Sequence, residues 1–379
     1  MEPISLYIHI PFCVRKCLYC DFPSFASGTE QYGPYIKTLE RELLAKAPML
    51  KGYTVNTVYF GGGTPVLLPP QLLGRILNVV YTKFDVTPDC EITAEANPGV
   101  LGKDSARALF SMGINRLSIG LQAWQDEVLK VLGRIHTKDD FLRSYDAARN
   151  AGFRNINIDL MFSVPGQKTA WWEETLINAA RLAPEHLSCY SLIFEEDTPF
   201  MVLKRSGFFK EMPEDQDREM YYLAEEVLSD AGFERYEISN FARPGRECRH
   251  NLTYWLCGEY MGAGLAAHSY FQGNRFSNIT GLEEYIASGG RLSVIEASRE
   301  KLTLEDRYAE FMFLGLRLKK GVSDERFRRT FGTDMKDVYG EVIDNLVKNE
   351  LLMERDGFVS LTPRGTDISN YVFEKFLFL

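Results

Sequence analysis

Between Ser5 and Leu192 the chain alternates β-rich apolar segments with amphipathic helical ones, and this beat restricts the fold more than any other feature. The strand segments are Ser5–Phe12, Asn56–Gly61, Glu91–Ala96, Arg116–Gln122, Asn155–Phe162 and His186–Leu192, each rich in Ile, Val, Leu, Tyr or Phe. Between them lie Tyr35–Ala47, Pro70–Tyr81, Lys103–Ser111, Thr137–Ala151 and Thr169–Leu182, all with helical spacing of apolar residues. Strands joined through helices run parallel with right-handed crossovers, so the chain predicts an α/β fold. Six such units suit a partial barrel; from periodicity alone a doubly wound sheet suits them equally. Thr137, with Asp140 three residues on, is a variant of the capping box and marks a helix start.

The polar residues that stand out fall at or beyond the C-terminal ends of these strands. Cys13, Cys17 and Cys20 follow the first; Gly61-Gly62-Gly63-Thr64-Pro65 ends the second; Glu95-Ala96-Asn97-Pro98 ends the third; Gln122 ends the fourth; Asp159 sits late in the fifth. Any one of them alone is most simply a turn or cap residue. Five together on the rim where α/β barrels build their chemistry mark a site.

A net charge of -9 gives no general attraction to nucleic acid or anionic lipid. No apolar run approaches the roughly 18 residues that span a bilayer, and the start lacks a signal-peptide pattern. These features predict a cytoplasmic protein and leave transient membrane association and a homodimer open. In a reducing compartment three clustered thiols point to metal chemistry rather than disulfides. They make sense as ligands of a 4Fe-4S cluster, one thiolate per iron, with the fourth iron left for a non-protein ligand. S-adenosylmethionine can fill that corner through its amino and carboxylate groups. The bare backbone of Gly61–Gly63 suits the methionine amine and Glu95 suits the ribose hydroxyls. Arg15 and Lys16 beside the thiols are expected to favour their deprotonation. The competing reading is a zinc site completed by His9 or Asp21.

The runs YIHIPFCVRKCLYC, GGGTP, EANP, SIGLQ, LGRIHT and DLMFSVPGQ, in this order over roughly residues 5 to 200, resemble the radical S-adenosylmethionine proteins related to oxygen-independent coproporphyrinogen III oxidase. The resemblance implies a partial (β/α)6 TIM-like barrel. It also implies that Tyr7, Gly63 and Glu95 contact S-adenosylmethionine, and that Thr64, Gln122, Arg134, Asp159 and Ile193 surround a second molecule of it, as in the oxidase. Two departures redirect the functional expectation. The oxidase carries a fourth cysteine two positions after the third, where this chain has Phe22, and a long extension ahead of the cysteine loop, where this chain has 12 residues. Both departures resemble the HemW heme chaperones, which keep the barrel and cluster but deliver heme to client hemoproteins.

His250-Asn251-Leu252-Thr253-Tyr254-Trp255 resembles the HNxxYW signature of that family. An imidazole can serve as an axial heme ligand, and Tyr254 and Trp255 offer flat faces to a porphyrin. The same residues read equally well as packing at a domain junction. His250 is expected to be the heme ligand and to be accessible, with His268, Cys248, Cys257 or Met261 as a second ligand.

After about residue 295 the pattern changes to a helix within Leu302–Gly321 ended by Gly321, a second capped by Ser323 and Gly332, a third over Asp334–Asn349, and a hairpin around Asp356-Gly357. This predicts a small helical, winged-helix-like domain. Its third helix sets Lys336 and Lys348 against Asp337, Glu341 and Asp344, the wrong balance for phosphate contacts, so no nucleic-acid partner is expected. The expected organisation is a radical S-adenosylmethionine barrel over 1–240, a connecting segment over 241–294 and the C-terminal domain over 295–379. The expected function is a heme chaperone with heme as cargo. A coproporphyrinogen oxidase is the alternative and a cluster-bearing electron carrier a weaker one.

Overall fold

The computed structural model describes residues 1–26 and 28–378. All six expected strands form: β1 (Glu2–Ile10), β2 (Tyr53–Gly62), β3 (Val86–Ala96), β4 (Arg116–Gln122), β5 (Ile156–Phe162) and β6 (His186–Ser191). They pair in parallel in sequence order. The crossovers carry α1 (Tyr32–Lys46), α2 (Pro70–Lys83), α3 (Lys103–Ser111), α4 (Asp126–Val131), α5 (Lys138–Ala151) and α6 (Thr169–Arg181). Each helix turns an apolar stripe to the sheet; in α2 it is Leu73, Ile76, Leu77 and Val80. The capping box of α5 is made in full, with Asp140 N–H donating to Thr137 and Thr137 N–H donating to the Asp140 carboxylate.

The strands alternate in character between their two faces. Ile4, Leu6, Ile8 and Ile10 of β1, Val58 and Phe60 of β2, and Leu117 and Ile119 of β4 are buried in the apolar core. The intervening Ser5, Tyr7, His9, Thr57, Tyr59, Ser118, Asn157 and Asp159 form a polar interior linked by hydrogen bonds, with the Arg116 side chain buried among them. Burying so many polar groups is tolerable only because most of them pair with one another.

After α7 (Pro199–Arg205) and α8 (Glu214–Asp230), the short strands β7 (Glu234–Arg235) and β8 (Asn240–Ala242) extend the sheet antiparallel beyond β6. On the other edge, after α9 (Arg249–Trp255), β9 (Tyr260–Ala263) pairs parallel with β1. The strands β10 (His268–Phe271), β11 (Asn274–Asn278) and β12 (Glu296–Lys301) continue as an antiparallel meander. The sheet order is β12-β11-β10-β9-β1-β2-β3-β4-β5-β6-β8-β7, a barrel with two edges, as the partial-barrel expectation requires. The segment 241–294, expected only to connect, builds part of that sheet. It is clasped by α1: the buried Glu42 carboxylate accepts from Lys46, from Gly264 N–H, from the Asn278 amide and from the Tyr285 hydroxyl. Removing one partner from a buried pair of this kind costs about 3–5 kcal/mol.

The remaining helices α10 (Leu282–Ser288) and α11 (Leu292–Ile295) lead into β12. A second apolar core then unites α12 (Leu304–Gly315), α13 (Asp324–Phe331), α14 (Met335–Lys348) and α16 (Ser369–Glu374) with a small sheet, and the short α15 (Pro363–Asp367) leads into α16. That sheet pairs β13 (Val322–Ser323) with β15 (Phe358–Leu361) and β15 with β14 (Leu352–Arg355). The hairpin turns at Asp356-Gly357 as expected. The expected helix over Leu302–Gly321 stops earlier, at Gly315, because the next residues leave it to bond the barrel edge, where Lys319 N–H donates to Tyr236 C=O. Among the described residues no helix is long and apolar enough to cross a membrane.

Candidate functional site

The loop that follows β1 is pinned at both ends. Phe25 N–H donates to Pro11 C=O (2.7 Å) and Cys13 N–H to Phe25 C=O (3.0 Å), so the chain leaves and re-enters at one point. Its middle is held by Leu18, whose N–H donates to Leu132 C=O and whose C=O accepts from Phe200 N–H. Cys13, Cys17 and Cys20 are therefore carried on a short, fixed loop, each partly exposed. Burial raises the pKa of the Cys13 and Cys20 thiols; Thr64 opposes this at Cys13. Arg15 and Lys16 are exposed, and the expected help from these cations is outweighed by desolvation. Thiols in this state ionise when a metal takes the thiolate.

His9 is not available to complete a zinc site. Its Nε2–H donates to Pro23 C=O (2.8 Å), which leaves Nδ1 to accept from the Tyr7 hydroxyl (3.0 Å). Burial lowers its pKa to about 4, so the ring is neutral and serves to tie β1 to the returning loop. Among the described residues no three His, Cys, Asp or Glu side chains converge on the space of a single metal ion. Three thiols on one short loop, with His9 engaged elsewhere, fit the corners of a 4Fe-4S cluster better than a closed tetrahedral ion.

Beside the loop, Glu95 lies against the glycine run. Its Oε2 accepts from Gly62 N–H (3.1 Å) and its Oε1 from the Tyr59 hydroxyl (2.9 Å), so each oxygen keeps a lone pair for a vicinal diol. Gly62 has φ +108°, and a Cβ there would stand 2.4 Å from His9 Cε1; no other residue lets the strand end turn in this way. Burial pushes the Glu95 pKa up to about 7, against the bond from Tyr59, with nearby Asp159 adding to the rise. Gly63 N–H is used by Ile10 C=O. Tyr7 stacks at 6.3 Å on Tyr59, in the same interior layer as Glu95's partner.

A second group of expected residues meets in a directed chain. Arg134 Nη1 donates to Asn97 Oδ1 (2.7 Å), Asn97 Nδ2 donates to Thr64 Oγ1 (2.6 Å), and the Thr64 hydroxyl is then free to donate to Cys13 Sγ (3.6 Å). The chain thus leads from a guanidinium to a cluster-loop sulfur. Gly120 makes room for it: a Cβ there would lie 2.5 Å from Gln122 Nε2 and 3.0 Å from Arg134 Nη2. Gln122 is held at φ +69°, a costly conformation for a non-glycine residue and one that clusters at functional sites. Asp159 accepts from Ser118 (3.0 Å) and the Asn157 amide (2.8 Å). Ile193 stands apart, 66% exposed beyond β6. Sequence reasoning gave no role to Asn97 or Tyr59, and offered His9 only as a zinc ligand. The only signal for Asn97 was its place in EANP.

His250 is where the structure corrects the sequence reading. It is 1% exposed. Thr57 sends its own proton to Ser5, so Thr57 Oγ1 accepts from His250 Nδ1–H (2.7 Å) and Nε2 accepts from the Tyr254 hydroxyl (2.9 Å). Burial, helped by Arg116, lowers its pKa to about 3. The ring is a neutral plug in the barrel interior, stacked at 5.0 Å on Tyr59, and neither nitrogen is open to iron. Glu91 draws the helix in by accepting from the N–H groups of Arg249 and His250 at its N-terminus. Of the second-ligand candidates, Cys248 and Met261 are buried, His268 is exposed, and Cys257 lies at the seam with the C-terminal helices.

Residues 7–177 match the radical SAM superfamily, and residues 302–368 match the HemN C-terminal domain. The chain is 36% identical over 374 residues to the heme chaperone HemW of Bacillus subtilis, a match covering 98% of this chain and 99% of that one. The chain belongs to the HemW family. The HemW heme chaperone of Escherichia coli is 34% identical over 382 residues, covering 100% of this chain and 99% of its own. Among solved structures, the coproporphyrinogen III oxidase HemN of Escherichia coli shares the fold, with TM-score 0.85 at 23% identity over 99% of this chain and 90% of that one. The superfamily match begins at Tyr7 and runs into α6, so it encloses the cysteine loop, the glycine run, Glu95, Gln122, Arg134 and Asp159. The HNxxYW segment lies outside both matched ranges.

Proposed function

We propose that this HemW-family chain binds heme and hands it to client hemoproteins, with a 4Fe-4S cluster and S-adenosylmethionine at the barrel rim. The reading is carried by matches of 36% and 34% identity over nearly the full length of heme chaperones from two bacteria. It is supported by Phe22, 66% exposed where an oxidase-type loop would place another cysteine. Cys13, Cys17 and Cys20 would hold the cluster, and Glu95, Tyr7 and the Gly61–Gly63 backbone would hold S-adenosylmethionine. Thr64, Gln122, Arg134 and Asp159 line the same rim. When bound, the cluster supplies or accepts single electrons beside the sulfonium. The chain's own part is to fix the loop, to accept hydroxyls at Glu95 and to direct the Arg134–Asn97–Thr64 hydrogen bonds at Cys13. Clustered thiols suited to a metal support a cytoplasmic location.

The test is anaerobic reconstitution followed by parallel titrations with heme and with coproporphyrinogen, read by visible absorbance and released carbon dioxide. The chaperone reading expects a saturable heme complex and no decarboxylation.

A further inference from the structure

The seam between the barrel edge and the C-terminal helices holds a cavity of about 100 Å³. Its walls include Cys257, Tyr270, Arg307, Phe311, Arg326 and Phe331. The one carboxylate among the described lining residues, Glu310, is already clasped by Arg275 at 2.6 and 2.8 Å. Arg326 donates to the Leu256 carbonyl and lies 4.6 Å over the Phe311 ring; Arg307 lies 5.4 Å over Phe331. Among the described residues neither guanidinium forms an ion pair, although the chain has 52 acidic against 43 basic residues. Burial depresses the pKa of Arg326 below the usual guanidinium value, the signature of a desolvated charge without a counter-ion. Two guanidiniums without an ion pair lining one cleft at a domain seam ask for an anion.

We infer that this seam takes a carboxylate arm of the heme cargo, Arg307 and Arg326 holding the carboxylate while Tyr270 and Phe331 offer flat apolar surface to the ring. The inference rests on the chaperone reading and adds a site to it. A tetrapyrrole is too large for the cavity, so the ring lies over the lip, where Leu304, one turn before Arg307 on α12, is 47% exposed. Cargo held by an edge leaves without opening a core, which suits a donor. The cavity begins at Cys257, two residues after α9 ends at Trp255.

The experiment compares heme with heme dimethyl ester, whose carboxylates are masked, on the full-length reconstituted protein and on the Arg307→Gln, Arg326→Gln double variant. Wild type should bind heme about tenfold or more tightly than the ester, and the variant should lose that preference while binding the ester as wild type does. The single Arg307→Gln variant, at the more open position, carries the test if the double variant does not fold. Equal binding of heme and ester by wild type, or an undiminished preference in the variants, overturns the inference and leaves the chaperone reading standing. Binding of neither compound by wild type overturns both.

Discussion

His250 Nε2 and the Tyr254 hydroxyl, one helical turn apart on α9, are hydrogen-bonded at 2.9 Å inside the barrel. With Nδ1 bonded to Thr57, the imidazole spends both nitrogens on closing the barrel interior. His250→Ala should therefore destabilise the fold by about 2–4 kcal/mol, from a lost buried network and a cavity. The visible spectrum of the heme complex should not change. A further consequence follows from its pKa of about 3, below the ordinary 6.5. The unfolded chain binds a proton that the folded chain refuses, so this contribution is present above about pH 6.5 and is lost as pH falls toward 3. Chemical denaturation at pH 7.5 and 5 should show the gap between wild type and variant narrowing in acid.

Glu95 has the opposite sign. Its carboxyl is raised to about 7, so the folded chain holds a proton that the unfolded chain has released, and ionisation costs stability as pH rises from about 4.5 through 7. Glu95→Gln should raise the thermal midpoint of the apo-protein at pH 8, by a free energy of up to about 3 kcal/mol, and change little at pH 4.5. The same variant should weaken S-adenosylmethionine binding by calorimetry. Wild-type affinity in the variant would remove Glu95 from that site.

Cys13, Cys17 and Cys20 should each be required for bound iron and sulfide, because they are the thiols carried on the rim loop. Cys90 and Cys189 are buried in strands, with burial raising both pKa values. Replacing either by Ser should leave iron and sulfide content intact by colorimetric assay.

Asn97 connects Arg134 to Thr64, and through it to Cys13. Asn97→Ala breaks this chain without removing a thiol. Iron content should hold, while the cluster's midpoint potential should move to more negative values as the sulfur loses hydrogen-bond support. A redox titration followed by electron paramagnetic resonance reads the shift; an unmoved potential would show that the chain ends at Thr64.

The parallel half of the fold was legible because each strand from Ser5 to Leu192 has buried outer residues and the helices between them keep a clear apolar stripe. The outer strands were not. Residues such as Tyr260–Ala263 are too few to show a period, and their pairing with β1 is imposed by α1 through Glu42. The rim cysteines and Glu95 stood out from their place after strand ends, whereas Arg134, in the loop between α4 and α5, came only from the family resemblance. His250 was misread for a different reason: an i, i+4 His–Tyr pair looks alike on an exposed helix and on a plug. What decides between them is Glu91, 159 residues away, capping the helix from inside the barrel.

The central claim is transfer, and the most direct measurement is heme movement from the reconstituted, heme-loaded protein to an apo-hemoprotein, followed by the acceptor's own visible spectrum. The account predicts that the acceptor gains heme at the donor's expense, faster than from free heme with an inert carrier, and without consumption of coproporphyrinogen. A protein that retains its heme, or that ignores heme and instead cleaves S-adenosylmethionine while releasing carbon dioxide from coproporphyrinogen, would contradict it.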